Sequence, residues 1–314
     1  RSPWFWVPTL YFAQGIPYFI VNNISVMMFT KMGVPNGDMA LFTSLLYLPW
    51  FIKPFWSPFV DIIKTKRWWT ISMQILMSIA FILLTLTIPT PSAEMLASQS
   101  TPISMFTVTL LLFTITAFTS ATHDIAADGF YMLALPQNEQ AAFVGIRSTF
   151  YRLASIFGQG ILVTIAGAIE LSSQDIPFSW RITMLVTAIM FSATTLYHTF
   201  IIPRSDNDRS VLGAEKASPK AIFREFARSF TTYFKKPGVV LAITFMLLYR
   251  LPEAFLLKLC MPFLVASKEM GGLALSTAEV GIVYGTIGVI FLTIGGILGG
   301  IFASRLGLKR SLWV

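Results

Sequence analysis

The sequence contains few charged residues, two histidines and one cysteine. Charged residues make up 12% of its 314 residues, about half the share in a soluble domain, while 55% are hydrophobic and the mean hydropathy is +0.69. Cys260 has no second cysteine with which to form an intramolecular disulfide. No metal-ligand set, nucleophile–base pair or glycine-rich phosphate loop stands at a recognisable spacing. The composition therefore predicts an all-α polytopic membrane protein, without metal or cofactor, and argues against an enzyme.

Hydrophobic stretches near the ~20 residues that cross a bilayer recur along the chain. We number them as spans 1 to 8 and place them at Trp4–Phe29, Met39–Val60, Trp68–Pro89, Ile103–Leu133, Phe143–Glu170, Ile182–Ile202, Val239–Ala266 and Ala278–Ala303. Pro49, Pro54 and Pro58 are expected to bend span 2.

The basic residues predict the orientation of these spans. Most of the 23 Lys and Arg residues fall on one side, including Arg147 at the start of span 5, whereas the other side has Lys31, Arg181 and Lys268. Lys and Arg accumulate in cytoplasmic loops, so we expect a cytoplasmic N-terminus. The net charge of +8 therefore reflects membrane topology, and we expect no binding to nucleic acid.

The segment 203–238 is polar at first and amphipathic from Pro219, where Phe223, Phe226 and Phe230 recur at helical spacing. This pattern predicts a helix on the inner membrane surface, although a docking site for a cytosolic partner is an alternative. The segment would join an N-terminal bundle at 1–202 to the first two helices of a second bundle at 239–314.

Ionisable residues inside the spans are the main functional signal, because a charge in hydrocarbon costs about 3 kcal/mol or more. Asp124 and Asp128 stand at i and i+4 beside His123, and Glu253 lies in span 7. Two carboxylates on one helical face in a poorly hydrated cavity are suited to proton exchange, so these four residues are the candidates for proton coupling. Capping of helix ends is the alternative for the aspartates, and a satisfied interior histidine is the alternative for His123.

Cations within the spans are the candidates for binding an anionic substrate. They are Lys53, Arg152, Arg250 and Lys258. Arg can grip a carboxylate with two parallel hydrogen bonds. Alternatively, Arg250 pairs with Glu253, or Arg152 with Asp128, to neutralise buried charge. His198 stands alone in span 6 in the sequence.

Two loops resemble each other and a known motif. Residues 57–67 (SPFVDIIKTKR) align without a gap with residues 300–310 (GIFASRLGLKR). Both resemble the G-x-x-x-D-R-x-G-R-R loop of the major facilitator superfamily, whose duplicated halves each carry it. The resemblance implies a gating role for Asp61, Lys66, Arg67, Arg305, Lys309 and Arg310. The alternative is a pair of basic loops that obey the positive-inside bias alone.

Further stretches resemble the AmpG-type muropeptide permeases of the peptide–acetyl-CoA–drug transporter branch. They are KPFWSPFVD (53–61), THDIAAD (122–128), YRL (151–153), YRLPEAF (249–255) and AEVGIV (278–283). Glu253 departs from the family's frequent aspartate. The resemblance implies a proton-driven importer of anhydro-muropeptides in the bacterial inner membrane, with about twelve helices, of which this chain would hold eight. Because relatives carry acetyl-CoA or other solutes, the resemblance does not identify the substrate.

A polar stripe on span 1 would contribute to the same pathway. Tyr11, Gln14, Tyr18 and Asn22 follow helical spacing. Amides suit sugar hydroxyls and a tyrosine can stack on a sugar ring, although such stripes also hold helices together. We therefore predict a monomeric, proton-coupled symporter of a small, anionic or glycan-containing solute that works by alternating access.

Overall fold

The computed structural model describes residues 2–208, 223, 224, 227, 231, 232, 234–292, 294 and 295, apart from the side chains of 61, 62, 137, 138, 141, 142 and 144. Within these residues the chain consists of helices and their connections. Five helices are long and apolar enough to cross a membrane: Lys66–Thr87, Ile103–Ala134, Gly145–Ser173, Ile176–Ile201 and Val239–Val265. They coincide with predicted spans 3 to 7.

Span 1 is helical in three consecutive pieces, an α-helix Val7–Phe19, a π-helical turn Ile20–Ile24 and an α-helix Ser25–Lys31. Span 5 has the same construction, with α-helices Gln137–Ser155 and Val163–Ser173 on either side of a π-helix Ile156–Leu162. Span 8 starts with an α-helical turn Thr277–Val280 and continues as a π-helix Gly281–Ile287. Such π-helical turns often occur at functional sites.

Span 2 is broken, whereas the sequence suggested one bent helix. Its pieces are α-helices Asn36–Leu45, Leu48–Ile52 and Ser57–Ile62 and a 3-10 turn Lys53–Phe55. Each of the three pieces after Asn36–Leu45 has a proline at its first or second position, namely Pro49, Pro54 and Pro58 in chain order. Because proline lacks an N–H and clashes with the preceding turn, each one ends the helix before it and starts a new one.

The described helices run alternately between two ends of the bundle. At one end, Tyr197 donates a hydrogen bond of 2.7 Å to the carbonyl of Phe5, and the segment after span 6 reaches the start of span 3. At the other end, Lys31 contacts Glu170 and Arg181 donates to the carbonyl of Ile88. Lys31 and Arg181, predicted to share one side, therefore lie at the same end of the bundle.

Spans 5 and 8 approach each other closely through glycines. A Cβ on Gly160 would come within 3.3 Å of the carbonyl carbon of Gly285, and a Cβ on Gly281 within 2.8 Å of the backbone nitrogen of Thr164. The π-helix of span 5 also contacts the π-helix of span 1. The widened turns of spans 1, 5 and 8 thus form one continuous seam across the bundle.

Candidate substrate and proton site

Asp124 on span 4 is a buried carboxylate that faces the broken part of span 2. The ammonium nitrogen of Lys53 lies 3.7 Å from its Oδ2, and the Asp124 side chain is 11% exposed. The side chains of Trp50 and Gln14 lie close to this carboxylate. Spans 1, 2 and 4 therefore each supply a polar group to one buried site.

Several polar atoms of this site lack hydrogen bonds. Within the described residues, Oδ1 of Asp124, Oε1 of Gln14 and Nε1 of Trp50 are buried without a hydrogen-bond partner. The same holds for Oδ1 of Asn22, whose Nδ2 donates to the carbonyl of Tyr18 at 3.0 Å. An unsatisfied buried group costs about 1–3 kcal/mol. These atoms are thus placed to bind a proton, a water molecule or the hydroxyls of a solute.

Asp128 lies one helical turn from Asp124 and is bound differently. Nη2 of Arg147 lies 2.7 Å from Oδ1 of Asp128, and the hydroxyl of Tyr11 donates to the same oxygen at 2.9 Å. The alternative that pairs Asp128 with Arg152 is wrong, because the partner of Asp128 is Arg147. The helix of span 5 starts at Gln137, before the predicted Phe143, so Arg147 lies roughly three turns inside it.

Aromatic rings form a wall beside these carboxylates. Tyr18 lies 5.3 Å from Trp50, 6.2 Å from Tyr47 and 6.3 Å from Tyr151, measured between ring centroids. Of these four residues, only Tyr18 was predicted from the sequence as a substrate-binding candidate. Tyr47 and Trp50 belong to the broken span 2, where helical spacing could not show which residues share a face.

The charged residues of span 7 make two different contacts. Nζ of Lys258 lies 3.3 Å from the hydroxyl of Thr43 on span 2 and so connects the two parts of the chain. Arg250 forms a hydrogen-bonded ion pair with Glu253, which confirms the alternative based on their i,i+3 spacing, and both side chains are at least half exposed. Arg152 is partly buried and makes no ion pair with any described residue.

His123 belongs to a separate polar network in the bundle interior. Its Nε2 lies 2.9 Å from Nε2 of Gln74, and Oε1 of Gln74 lies 3.0 Å from Nδ1 of His198. Nε2 of His198 lies 2.9 Å from the hydroxyl of Thr9. His198, the single histidine of span 6, is therefore connected to His123, a contact that the sequence did not predict. The polar residues Gln74 and Thr9 on neighbouring spans were the signal that could have indicated it.

The basic residues of the first predicted gating loop hold the helix ends of this bundle together. The carboxylate of Asp208 accepts from the backbone N–H of Lys66 at 2.6 Å and of Arg67 at 2.9 Å. The guanidinium of Arg67 donates to the carbonyls of Ile202 and Thr199 at the end of span 6. The side chain of Asp61, and all of Arg305, Lys309 and Arg310, lie outside the described residues.

Among the described residues, no three His, Cys, Asp or Glu side chains group as ligands for a metal ion.

The fold and the site define a class: a polytopic helical membrane protein whose bundle encloses ionisable and aromatic side chains. A profile of the Major Facilitator Superfamily matches residues 9–314. The chain therefore belongs to the Major Facilitator Superfamily, whose members are membrane transporters and not enzymes.

Relatives and a solved structure agree with this family. The anhydromuropeptide permease of Escherichia coli K12 is 25% identical over 311 residues, which cover 96% of this chain and 56% of the permease. The putative transporter AmpG 4 of Rickettsia conorii is 27% identical over 313 residues, which cover 96% of this chain and 67% of that protein. The chain thus spans little more than half the length of the E. coli permease. The predicted superfamily and the AmpG-type resemblance are confirmed.

The fold is similar to that of a bacterial homolog of the human lysosomal transporter Spinster, solved in an inward-facing and unoccupied conformation. The TM-score is 0.52 at 17% sequence identity, over 96% of this chain and 61% of that one. At this identity the likeness concerns the fold alone.

Proposed function

We propose that the protein is a proton symporter that imports a muropeptide or a related amino-sugar conjugate across the bacterial inner membrane. The observation that carries this proposal is the buried Asp124 with its distant partner Lys53 and its unsatisfied oxygen. The N-terminus would be cytoplasmic and the protein monomeric. Residues 1–202 would act as one bundle and 239–314 as part of a second, joined by the linker 203–238.

Asp124 is the favoured proton carrier among the candidates. Its Oδ1 is buried without a hydrogen bond, and Lys53 is too far from Oδ2 for a hydrogen bond of ordinary length. Asp128, by contrast, accepts from both Arg147 and Tyr11. Glu253 already pairs with Arg250 and is half exposed. A buried carboxylate with an unsatisfied oxygen gains more from taking up a proton than one that accepts two hydrogen bonds, which supports Asp124 in this role.

The aromatic wall would bind the sugar part of the solute. Rings of Tyr18, Tyr47 and Trp50 offer flat apolar faces for a sugar ring, and Trp50 has an unused N–H donor. The free acceptor atoms of Gln14 and Asn22 lie on the same span as Tyr18 and suit hydroxyl and acetamido groups. Lys258 would add a positive charge from span 7.

Alternating access would use the seam between spans 5 and 8. The seam is tight at its glycines, and the Glu170 carboxylate holds Lys31 and Thr277 at the same end of the bundle. Separation of these contacts would open the site to that side. The basic residues of the 57–67 loop are at the opposite end and would take part in closure there.

Uptake by reconstituted vesicles tests the proposal. The complete protein is placed in proteoliposomes, which receive a labelled anhydro-disaccharide tripeptide with and without an inward proton gradient. We expect accumulation above equilibrium with the gradient, and equilibration alone when a protonophore is added. Absence of uptake by folded protein would rule out this solute. Equal uptake with and without the proton gradient would rule out proton symport.

A further inference from the structure

Arg147 is held in a fixed orientation by two tyrosine rings. Its guanidinium carbon lies 4.2 Å from the ring centroid of Tyr11 and 4.4 Å from that of Tyr131. The two rings also meet edge to face, with centroids 5.8 Å apart. The two rings flank the cation on adjacent sides and restrict its rotation, and Nη2 stays available to hydrogen-bond acceptors.

The edge of this guanidinium is only partly used. Nη2 of Arg147 donates to Oδ1 of Asp128, and this is its one hydrogen bond to a described residue. Arginine has five N–H donors in a fork that fits a carboxylate with two parallel bonds. The side chains of Arg147 and Asp128 are 29% and 40% exposed, so a solute can reach them. The ion pair thus leaves room for a second carboxylate.

The position of the pair relative to the aromatic wall suits an elongated solute. Tyr11, which stacks on Arg147, and Tyr18, which belongs to the wall, are seven residues apart on the helical span 1. At 1.5 Å per residue their backbones are separated by about 10 Å. A glycopeptide whose sugar lies at the wall can extend a carboxylate of its peptide to Arg147.

We propose that the free edge of Arg147 binds a peptide carboxylate of the transported solute, with Asp128 as the resident counterion and Tyr11 and Tyr131 as positioning residues. This inference rests on the proposed function, because it names the group of the solute that the site recognises. Asp128 keeps the guanidinium paired in the empty site, and a bound carboxylate shares the same cation.

A binding experiment with two forms of one compound tests this. The probes are the anhydro-disaccharide tripeptide as the free acid and the same compound with all carboxyl groups converted to amides, each titrated into purified protein in nanodiscs. The wild type should bind the acid about tenfold or more tightly than the amide. Arg147→Gln should lose this preference and bind the amide as the wild type does, while Arg147→Lys should keep part of it.

Two further variants separate recognition from folding. Arg147→Gln with Asp128→Asn removes both charges, so no unpaired aspartate remains, and it should also bind acid and amide alike. Arg204→Gln removes an exposed arginine outside the site and should keep the wild-type preference. An unchanged acid preference in both Arg147→Gln proteins would overturn the inference. A wild type that binds both forms equally would overturn it while leaving the transport proposal intact, and one that binds neither would overturn both.

Discussion

The ammonium nitrogen of Lys53 lies 3.7 Å from Oδ2 of Asp124, within range of an ion pair but beyond an ordinary hydrogen bond. The two residues come from spans 2 and 4, and the backbone around Lys53 is a 3-10 turn that contains Pro54 and precedes a helix that contains Pro58. A pair of this kind is easily separated, because its partners are held by different helices. We propose that protonation of Asp124 releases Lys53 and so couples proton binding to movement of span 2.

Asp124→Asn is expected to uncouple transport from protons. The amide cannot take up a proton and remains neutral, so exchange of labelled for unlabelled solute should continue while gradient-driven accumulation falls about tenfold or more. Both rates are measured in the same proteoliposomes. Asp38→Asn, at the start of the first helix of span 2 and outside the site, is the matched control and should accumulate like the wild type. Normal accumulation by Asp124→Asn would remove Asp124 from the proton pathway.

Glu170 is expected to stabilise the closed state at its end of the bundle. Oε1 accepts from Lys31 at 2.9 Å and Oε2 from Thr277 at 2.8 Å, so one carboxylate joins spans 1, 5 and 8. Glu170→Gln should raise the open population about two- to fivefold, since partly exposed ion pairs contribute at most about 1 kcal/mol. Nitroxide labels on Ser172→Cys and Leu273→Cys, in a Cys260→Ala background, report the distance between the end of span 5 and the loop that precedes span 8.

Glu94→Gln, on the exposed short helix Ala93–Ser98, serves as the control for this measurement and should leave the distance distribution unchanged. A distribution in Glu170→Gln that matches the control would show that the contact does not hold the closed state.

The Gln74 network is expected to stabilise the bundle without carrying the transported proton. Gln74→Leu leaves His123 and His198 without their shared partner, at a cost of about 1–3 kcal/mol for each unsatisfied group. We expect a lower midpoint of thermal unfolding, with gradient-driven accumulation per folded protein close to that of the wild type. Accumulation that fails while exchange continues would instead place His123 on the proton pathway.

Asp208 is expected to anchor the start of the linker to span 3. Its carboxylate accepts from two backbone N–H groups at the first turn of the helix Lys66–Thr87. Asp208→Ala should destabilise the protein by about 1–2 kcal/mol, and Asp208→Asn, which keeps a cap acceptor, by less. Chemical denaturation in detergent measures both. Equal stability of the two variants and the wild type would show that the cap contributes nothing.

The sequence predicted those parts of the fold that depend on composition and on local helical geometry. Hydropathy located the helices of spans 3 to 7, and the i,i+3 spacing predicted the Arg250–Glu253 pair. The i,i+4 spacing placed Asp124 and Asp128 near each other. These relationships lie within one helix, where the spacing along the chain fixes the distance in space.

Contacts between helices could not be predicted in the same way. The partner of Asp128 is Arg147 and not Arg152, and this choice depends on how span 5 rotates and slides against spans 1 and 4. The link from His123 to His198 runs through Gln74 on a third span. In span 2, prolines interrupt the helical repeat, so the position of Trp50 beside Asp124 does not follow from its spacing.

Proton movement on addition of solute directly tests proton symport through Asp124. Proteoliposomes with the wild type are suspended in weakly buffered medium without a gradient, and the unlabelled anhydro-disaccharide tripeptide is added while external pH is recorded. We expect an alkaline shift that a protonophore abolishes and that Asp124→Asn lacks, although this variant still exchanges solute. Solute entry without a pH shift in the wild type, or an equal shift in Asp124→Asn, would contradict proton symport through Asp124.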